Sequence, residues 1–222
     1  MSKKSSVTVE AEVLIEEVRS SQHQKIGILG GTFNPPHLGH LIIADQVKDQ
    51  LDLDQILFMP TAEPPHSSTE KITIPAALRV EMVDLAIMGH PDFRLELFEV
   101  ESGGKNYTYH TMKTLKDLYP GVDFYFIIGG DMVADLPTWY RINDLLDLVQ
   151  FVGVERPGFE IESDYPLIVV DIPMTTISSS MIRDKVAKGC SIKYLVPKDV
   201  EKYIELEGLY TDGEENRNNL YK

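Results

Sequence analysis

The 222-residue sequence has a single cysteine, Cys190, and contains no long run of apolar residues. One cysteine cannot form a disulfide within the chain, and no stretch approaches the roughly 18 consecutive apolar residues of a membrane-spanning helix. Basic residues are also few, with 21 Lys and Arg against 35 Asp and Glu and a net charge of -14. Such a balance repels a nucleic acid backbone. We therefore expect neither nucleic acid nor a membrane as a partner.

The length and composition predict one domain with a sizeable core. The chain is 43% hydrophobic, and its length suits a single domain. We assign this domain to residues 25–210 and a polar tail to residues 211–222. Residues 1–24 form an acidic, amphipathic extension, either helical or disordered, without the apolar block of a secretory signal. We expect a cytoplasmic protein.

Strand-like and helix-like segments alternate along residues 25–210. Short runs rich in β-branched and aromatic residues predict strands, and apolar residues at three- and four-residue steps predict helices between them. Strands linked by helices indicate a parallel sheet, because parallel strands need crossover connections. We therefore predict an α/β fold, a doubly wound, Rossmann-like parallel sheet with helices on both faces and a C-terminal helical segment. The predicted strands are residues 25–30, 55–59, 93–99, 123–128, 149–154 and 167–172; the predicted helices are residues 40–50, 75–88, 108–119 and 138–148, with two more within 177–208.

A glycine-rich turn, GILGGTFNPPHLGH over residues 27–40, connects the first predicted strand to the first predicted helix. Gly30 and Gly31 lack a Cβ, so the backbone there can approach a ligand closely. The helix start adds N–H groups and a partial positive charge, which together predict an anion site. The glycine spacing does not fit the dinucleotide fingerprint, no acid ends the second strand, and no Walker lysine follows.

Two histidines, His37 and His40, stand three residues apart at this helix start. At that spacing they lie on one side of the first turn and can both donate to one bound group. Either histidine alone is ordinarily a loop, capping or core residue, and a metal site would need a third ligand that the spacing does not offer. The strand, glycine turn, helix start and paired imidazoles together favour anion binding.

Two segments resemble the signatures of the nucleotidylyltransferase superfamily. Residues 30–40, GGTFNPPHLGH, resemble its H-x-G-H motif, and residues 177–183, ISSSMIR, resemble its I-S-S-T-x-I-R motif. Further segments narrow the resemblance to the bacterial nicotinate-nucleotide adenylyltransferases, over about residues 25–210. These segments are PPH at 64–66, RVEM at 79–82, NYT at 106–108, IGGDM at 128–132, LPTW at 136–139 and ERPG at 155–158.

The resemblance implies adenylyl transfer from ATP to nicotinate mononucleotide, giving deamido-NAD and pyrophosphate in NAD biosynthesis. The attacking phosphate is already ionised at neutral pH, so the site needs hydrogen-bond donors rather than a general base. The resemblance implies that His37, His40 and Arg183 are these catalytic donors. Magnesium is expected on the ATP phosphates without a dedicated carboxylate cage.

The resemblance also implies two sets of binding residues. Trp139 is expected to stack on the pyridine ring, with core packing as the alternative, and Asp131 is expected to accept ribose hydroxyls. Arg156 is expected to reach the ATP phosphates, with a surface ion pair as the alternative. The implied ATP-binding residues are Gly30, Gly31, Thr32, Phe33, His37, Gly39, His40, Gly129, Asp131, Arg156, Ile177, Ser179, Ser180 and Arg183. The implied mononucleotide-binding residues are Thr32, Tyr107, Thr108, Trp139 and Tyr140.

One position departs from the family pattern. Where the family often has a lysine after P-P-H, this sequence has Ser67, and a role for the later Lys71 stays open.

Two other functions compete: a pantetheine-phosphate adenylyltransferase, which His37 and the Trp139 segment oppose, and a non-catalytic nucleotide-binding regulator, for which both histidines and Arg183 would be unnecessary. A homo-oligomer is possible, and the strength of discrimination between nicotinate and nicotinamide mononucleotide is open.

Overall fold

Six parallel strands form one sheet in this computed structural model, which describes residues 24–63, 73–154, 162–173 and 176–211. The strand order is β3-β2-β1-β4-β5-β6, so the chain winds outward in both directions from β1 and β4. The doubly wound parallel sheet is therefore confirmed. The strands are β1 (Gln24–Gly31), β2 (Gln55–Pro60), β3 (Phe93–Leu95), β4 (Val122–Gly129), β5 (Val149–Val154) and β6 (Ile168–Val170).

Helices lie between consecutive strands from β1 to β5, and two more follow β6. Among the described residues, no helix combines the length and apolar character needed to cross a membrane. Residues 1–23 and 212–222, which hold nearly all of the predicted extension and tail, lie outside the described residues. The helices are α1 (Leu38–Leu51), α2 (Ala76–Ile87), α3 (Phe98–Ser102), α4 (Thr108–Leu118), α5 (Gly130–Val133), α6 (Ile142–Leu146), α7 (Ser179–Ala187) and α8 (Lys198–Leu206).

Two predicted elements were wrong in part. The strand predicted for residues 93–99 ends at Leu95, because the chain turns into α3, where the Glu96 carboxylate accepts a hydrogen bond from the Phe98 N–H at 2.8 Å. The helix predicted for residues 138–148 is split into a 3-10 turn at Leu136–Thr138 and the short α6. The break lies at Arg141, whose φ of 55° is left-handed and cannot continue a right-handed helix.

The sheet is buried on both faces, which explains its nearly continuous apolar strands. Along β4, Phe124 and Phe126 pack in one apolar cluster with Met112 of α4. The alternate residues Tyr125 and Ile127 pack in a second cluster on the opposite face, which includes residues of α1 and α2. Helices therefore cover both faces, as predicted.

A third apolar cluster attaches the C-terminal helices to α2. Met82 of α2 packs there with Ile182 of α7 and with Val200 and Ile204 of α8, all of them buried. This contact fixes α7 beside α2, so the residues at the start of α7 are available to the loop that follows β1.

Candidate active site

A cleft of about 550 Å³ opens at the carboxyl ends of the central strands, where the strand order reverses. Phe126 and Ile127 of β4 line it, together with the loop after β1, the start of α4, the 3-10 turn and the start of α7. Open α/β sheets bind ligands at this position, because the loops there lead into helix N-termini. The volume lies within the range of small-molecule sites.

The two sequence motifs meet at one wall of this cleft. Arg183 Nη1 donates a hydrogen bond to the Asn34 carbonyl oxygen at 2.8 Å, and Ser179 Oγ donates to the Pro35 carbonyl oxygen at 2.8 Å. Arg183 Nη2 also donates to Ser180 Oγ at 3.2 Å. The start of α7 is therefore tied to the glycine-rich turn by side chains of the second motif.

The three serines of the second motif have different contacts. Ser178 is the N-cap of α7, and its side chain accepts a hydrogen bond from the Met181 N–H at 3.2 Å. Capping satisfies an N–H group that the helix cannot satisfy itself. Ser179 and Ser180 occupy the first turn; the Ser179 hydroxyl joins the two motifs, and the Ser180 hydroxyl accepts a hydrogen bond from Arg183 within the second motif. A simple capping role thus describes Ser178 alone.

His37 and His40 form a stacked pair at the start of α1, with ring centroids 3.7 Å apart. His37 is the N-cap, and its backbone N–H donates to His40 Nδ1 at 3.1 Å. Because Nδ1 accepts this hydrogen bond, the neutral His40 ring carries its hydrogen on Nε2. His37 is only 5% exposed, His40 is half-buried, and neither residue lines the cleft.

Aromatic side chains line another part of the cleft. Trp139 is half-buried and packs edge-on against Phe126 and Phe151, with ring centroids 6.0 and 5.9 Å apart. The rings of Tyr107 and Tyr140 lie 5.0 Å apart beside the start of α4. Trp139 therefore packs on the core and also lines the cleft, so the two alternatives for this residue are compatible.

The residues expected to bind ligand fall into three groups. Those that line the cleft are Gly30, Gly31, Thr32, Tyr107, Thr108, Trp139, Tyr140, Ser179, Ser180 and Arg183. Those outside its lining are Phe33, His37, Gly39, His40, Gly129 and Ile177. Arg156 lies outside the described residues, as does the side chain of Asp131; Ser67 and Lys71, which were not among the residues expected to bind, lie outside them too.

Lys105 and Glu99 line the cleft but were not predicted as site residues. Lys105 follows two glycines with left-handed φ, and its Nζ lies 5.8 Å from the centroid of the Tyr107 ring. Asn106 Nδ2 holds this loop by donating to the Glu99 carbonyl oxygen at 3.0 Å. The only sequence signal for Lys105 is its position just before the NYT segment.

The Glu99 carboxyl group is buried, with 6% of the residue exposed. Its Oε1 accepts a hydrogen bond from the Thr111 hydroxyl at 3.0 Å. Burial raises the pKa of the Glu99 carboxyl above its ordinary value, because desolvation disfavours the charged form, and the Thr111 hydrogen bond offsets part of this effect. Glu99 thus brings an acid with a perturbed pKa to the cleft.

Tyr210 stabilises the first motif from the C-terminal side. Its hydroxyl donates to Asn34 Oδ1 at 2.8 Å, and Asn34 itself lines the cleft. Burial raises the pKa of Tyr210 above its ordinary value, so the hydroxyl remains a donor at neutral pH. Both the second motif and Tyr210 therefore contact Asn34.

Known proteins similar to this chain are nucleotidyltransferases. The cytidylyltransferase-like family model matches residues 28–185. The probable nicotinate-nucleotide adenylyltransferase of Lactiplantibacillus plantarum is 55% identical over 199 residues, which are 90% of this chain and 94% of that protein. The corresponding protein of Enterococcus faecalis is 51% identical over 209 residues, 93% of this chain and 95% of that protein.

A similar solved structure is the Plasmodium falciparum nicotinic acid mononucleotide adenylyltransferase complexed with NaAD. Its TM-score to this chain is 0.72 at 25% sequence identity, and the match covers 85% of this chain and 98% of that one. The similarity thus extends over nearly the whole length of that protein.

Proposed function

Because this chain belongs to the cytidylyltransferase-like family, and within it to the nicotinate-nucleotide adenylyltransferases, we propose that it transfers the adenylyl group of ATP to nicotinate mononucleotide. The products are deamido-NAD and pyrophosphate, so the reaction is a step of NAD biosynthesis. The observation that carries this proposal is the contact between the two motifs, in which Arg183 and Ser179 donate to the glycine-rich turn at the wall of the cleft.

The proposed reaction is an in-line displacement at the α-phosphorus of ATP. An oxygen of the mononucleotide 5'-phosphate forms the new bond to this phosphorus. The bond from the α-phosphorus to the oxygen bridging to the β-phosphorus breaks, and pyrophosphate leaves with the electron pair. The attacking oxygen is already ionised, so the protein has to align the two phosphates and stabilise the negative charge that spreads over them.

Donors on two sides are proposed to hold these phosphates. Arg183 and the N–H groups at the start of α7 supply one side, because a helix N-terminus and a guanidinium both favour anions. His40, through Nε2, and His37 supply the other side from the start of α1. These proposed roles rest on the resemblance of residues 30–40 to the H-x-G-H motif and on the attachment of both histidines to the turn that lines the cleft.

The aromatic part of the cleft is proposed to hold the mononucleotide base. Trp139 offers an apolar ring surface for the pyridine ring. Thr108, the first residue of α4, and the main chain near Tyr140 are proposed to donate to the nicotinate carboxylate, since a helix N-terminus favours this negative group. Gly30, Gly31 and Thr32 also line the cleft and are proposed to bring the backbone close to the phosphates.

Magnesium is proposed to enter with ATP, bound by phosphate oxygens and water, as this ion usually is. The described residues contain no group of three or more His, Cys, Asp or Glu placed to hold a metal. The cytoplasmic location and a possible homo-oligomer stay predictions.

Incubation of the full chain with ATP, Mg²⁺ and nicotinate mononucleotide tests the proposal through release of pyrophosphate. Nicotinamide mononucleotide and phosphopantetheine serve as alternative acceptors. We expect fastest release with nicotinate mononucleotide, and loss of release in Arg183→Gln but not in the matched control Arg94→Gln, whose guanidinium binds carbonyls near β3. Release with phosphopantetheine alone would assign the alternative enzyme, and ATP binding without release would assign a regulator.

A further inference from the structure

Arg79 is a buried arginine on the inner face of α2. It is 1% exposed, and the next residues on the same helix face, Met82 and Val83, are fully buried apolar residues. A charged side chain thus occupies a position that the helical period assigns to the core. Burial lowers the pKa of the Arg79 guanidinium from its ordinary value, because desolvation disfavours the charge. Such a group is tolerated only where its donors are satisfied.

Four of the five N–H donors of the Arg79 guanidinium bind main-chain carbonyls, which come from three segments. Nη1 donates to Thr32 at 2.8 Å, Nη2 donates to Thr61 at 2.8 Å and to Ala62 at 2.9 Å, and Nε donates to Ile74 at 3.2 Å. Within the described parts of the chain, no carboxylate pairs with Arg79. The Arg79 guanidinium therefore holds main-chain groups in place rather than pairing with an opposite charge.

Two of these carbonyls belong to residues that line the cleft. Thr32 follows the end of β1, and Thr61 follows the end of the neighbouring β2. The two strand ends are joined by a backbone hydrogen bond from the Thr61 N–H to the Gly31 carbonyl at 3.0 Å. Beyond it the ladder stops, and the next carbonyl groups need other donors. Arg79 supplies these donors and fixes the spacing of the two loops.

We propose that Arg79 is a positioning residue for the reaction: its planar fork holds the Thr32 and Thr61 loops at the spacing that aligns the bound phosphates. This inference rests on the proposed function and deepens it: Arg79 is not among the residues that line the cleft, so it acts through the two loops that it binds. A lysine retains the charge but has at most three donors on one atom, so it cannot bridge four carbonyls in the same geometry.

The test compares Arg79→Lys and Arg79→Met with a matched control on the same helix. Ile87→Ala truncates a residue that is 5% exposed at the opposite end of α2, away from the cleft. Each full-length variant is measured for thermal midpoint and for kcat and KM with ATP and nicotinate mononucleotide, well below its midpoint. We expect kcat of Arg79→Lys to fall about tenfold to hundredfold, because small misplacements of the reacting groups slow a reaction by this much. KM for ATP should change less than about threefold, because loop alignment affects the transition state more than ground-state binding.

The control separates positioning from simple stabilisation. Ile87→Ala should lower the thermal midpoint at least as much as Arg79→Lys, yet keep kcat within about twofold of the wild type. Equal kcat in Arg79→Lys and Ile87→Ala would overturn the proposal. So would failure of both Arg79 variants to fold while Ile87→Ala folds, since Arg79 would then serve stability alone. An inactive wild type would instead reject the proposed function, and with it this inference.

Discussion

Replacement of His40 tests the proposed chemistry where the structure constrains it most. His40 Nδ1 accepts the His37 backbone N–H at 3.1 Å, so Nε2 is the donor of the neutral ring. Loss of one preorganised donor to the charge of a transition state costs about 3–4 kcal/mol, or 10²–10³ in turnover. We therefore expect His40→Ala to lower kcat by about a hundredfold to a thousandfold, with a modest change in KM.

The same replacement also lowers the stability of the fold, and this effect must be separated from the effect on turnover. His40→Ala also removes an acceptor from the His37 N–H, which costs roughly 1–3 kcal/mol of stability if that group stays buried. His40→Gln is the matched control, because a glutamine three residues after the N-cap can accept the N-cap N–H in a capping box. We expect His40→Gln to keep the thermal midpoint near that of the wild type and to lose less turnover than His40→Ala, because its amide nitrogen keeps an N–H donor on the side chain.

The assay is pyrophosphate release at saturating ATP and nicotinate mononucleotide, with thermal denaturation of the same samples. Neither histidine lines the cleft, so the result decides whether the ring reaches the reacting phosphates. Values of kcat within about threefold of the wild type in both His40 variants would remove His40 from the mechanism and leave it a helix-capping residue.

Three further variants test the cleft. Trp139→Ala should raise KM for the mononucleotide about fivefold or more, since stacking on a base contributes roughly 1–3 kcal/mol; an unchanged KM would make Trp139 a core residue. Glu99→Gln should stabilise the fold relative to the wild type, and by more as pH rises above about 4.3, the ordinary pKa of a glutamate. Burial raises the pKa of Glu99, so the wild type loses stability as pH rises towards the folded pKa, whereas the glutamine does not titrate. Parallel curves of thermal midpoint against pH for the two proteins would contradict this. Lys105 lines the cleft beside Tyr107, so we expect its ammonium group to attract the nicotinate carboxylate. Lys105→Met should then lower the preference for nicotinate over nicotinamide mononucleotide about two- to fivefold in low salt, as for an exposed ion pair, whereas the control Lys113→Met should not. Equal preference in both variants would exclude Lys105.

The sequence by itself determined the fold class and the two motifs. Apolar runs with the period of strands and helices predicted the parallel sheet, because that period reports which faces are buried. The glycine-rich turn over residues 27–40 and the segment over residues 177–183 were found from local residue types alone. The start of α4 at Thr108 was also predicted, because it depends on neighbouring residues.

Only the tertiary structure decided how these segments are held together. Arg79, Arg183 and Ser179 bind main-chain carbonyls of distant loops, and every residue has a carbonyl, so such partners leave no mark in the sequence. The placement of Lys105 in the cleft, and of His37 and His40 outside its lining, depends likewise on how loops from different strands approach one another. Periodicity identifies a buried face, but it does not say which backbone groups that face will meet.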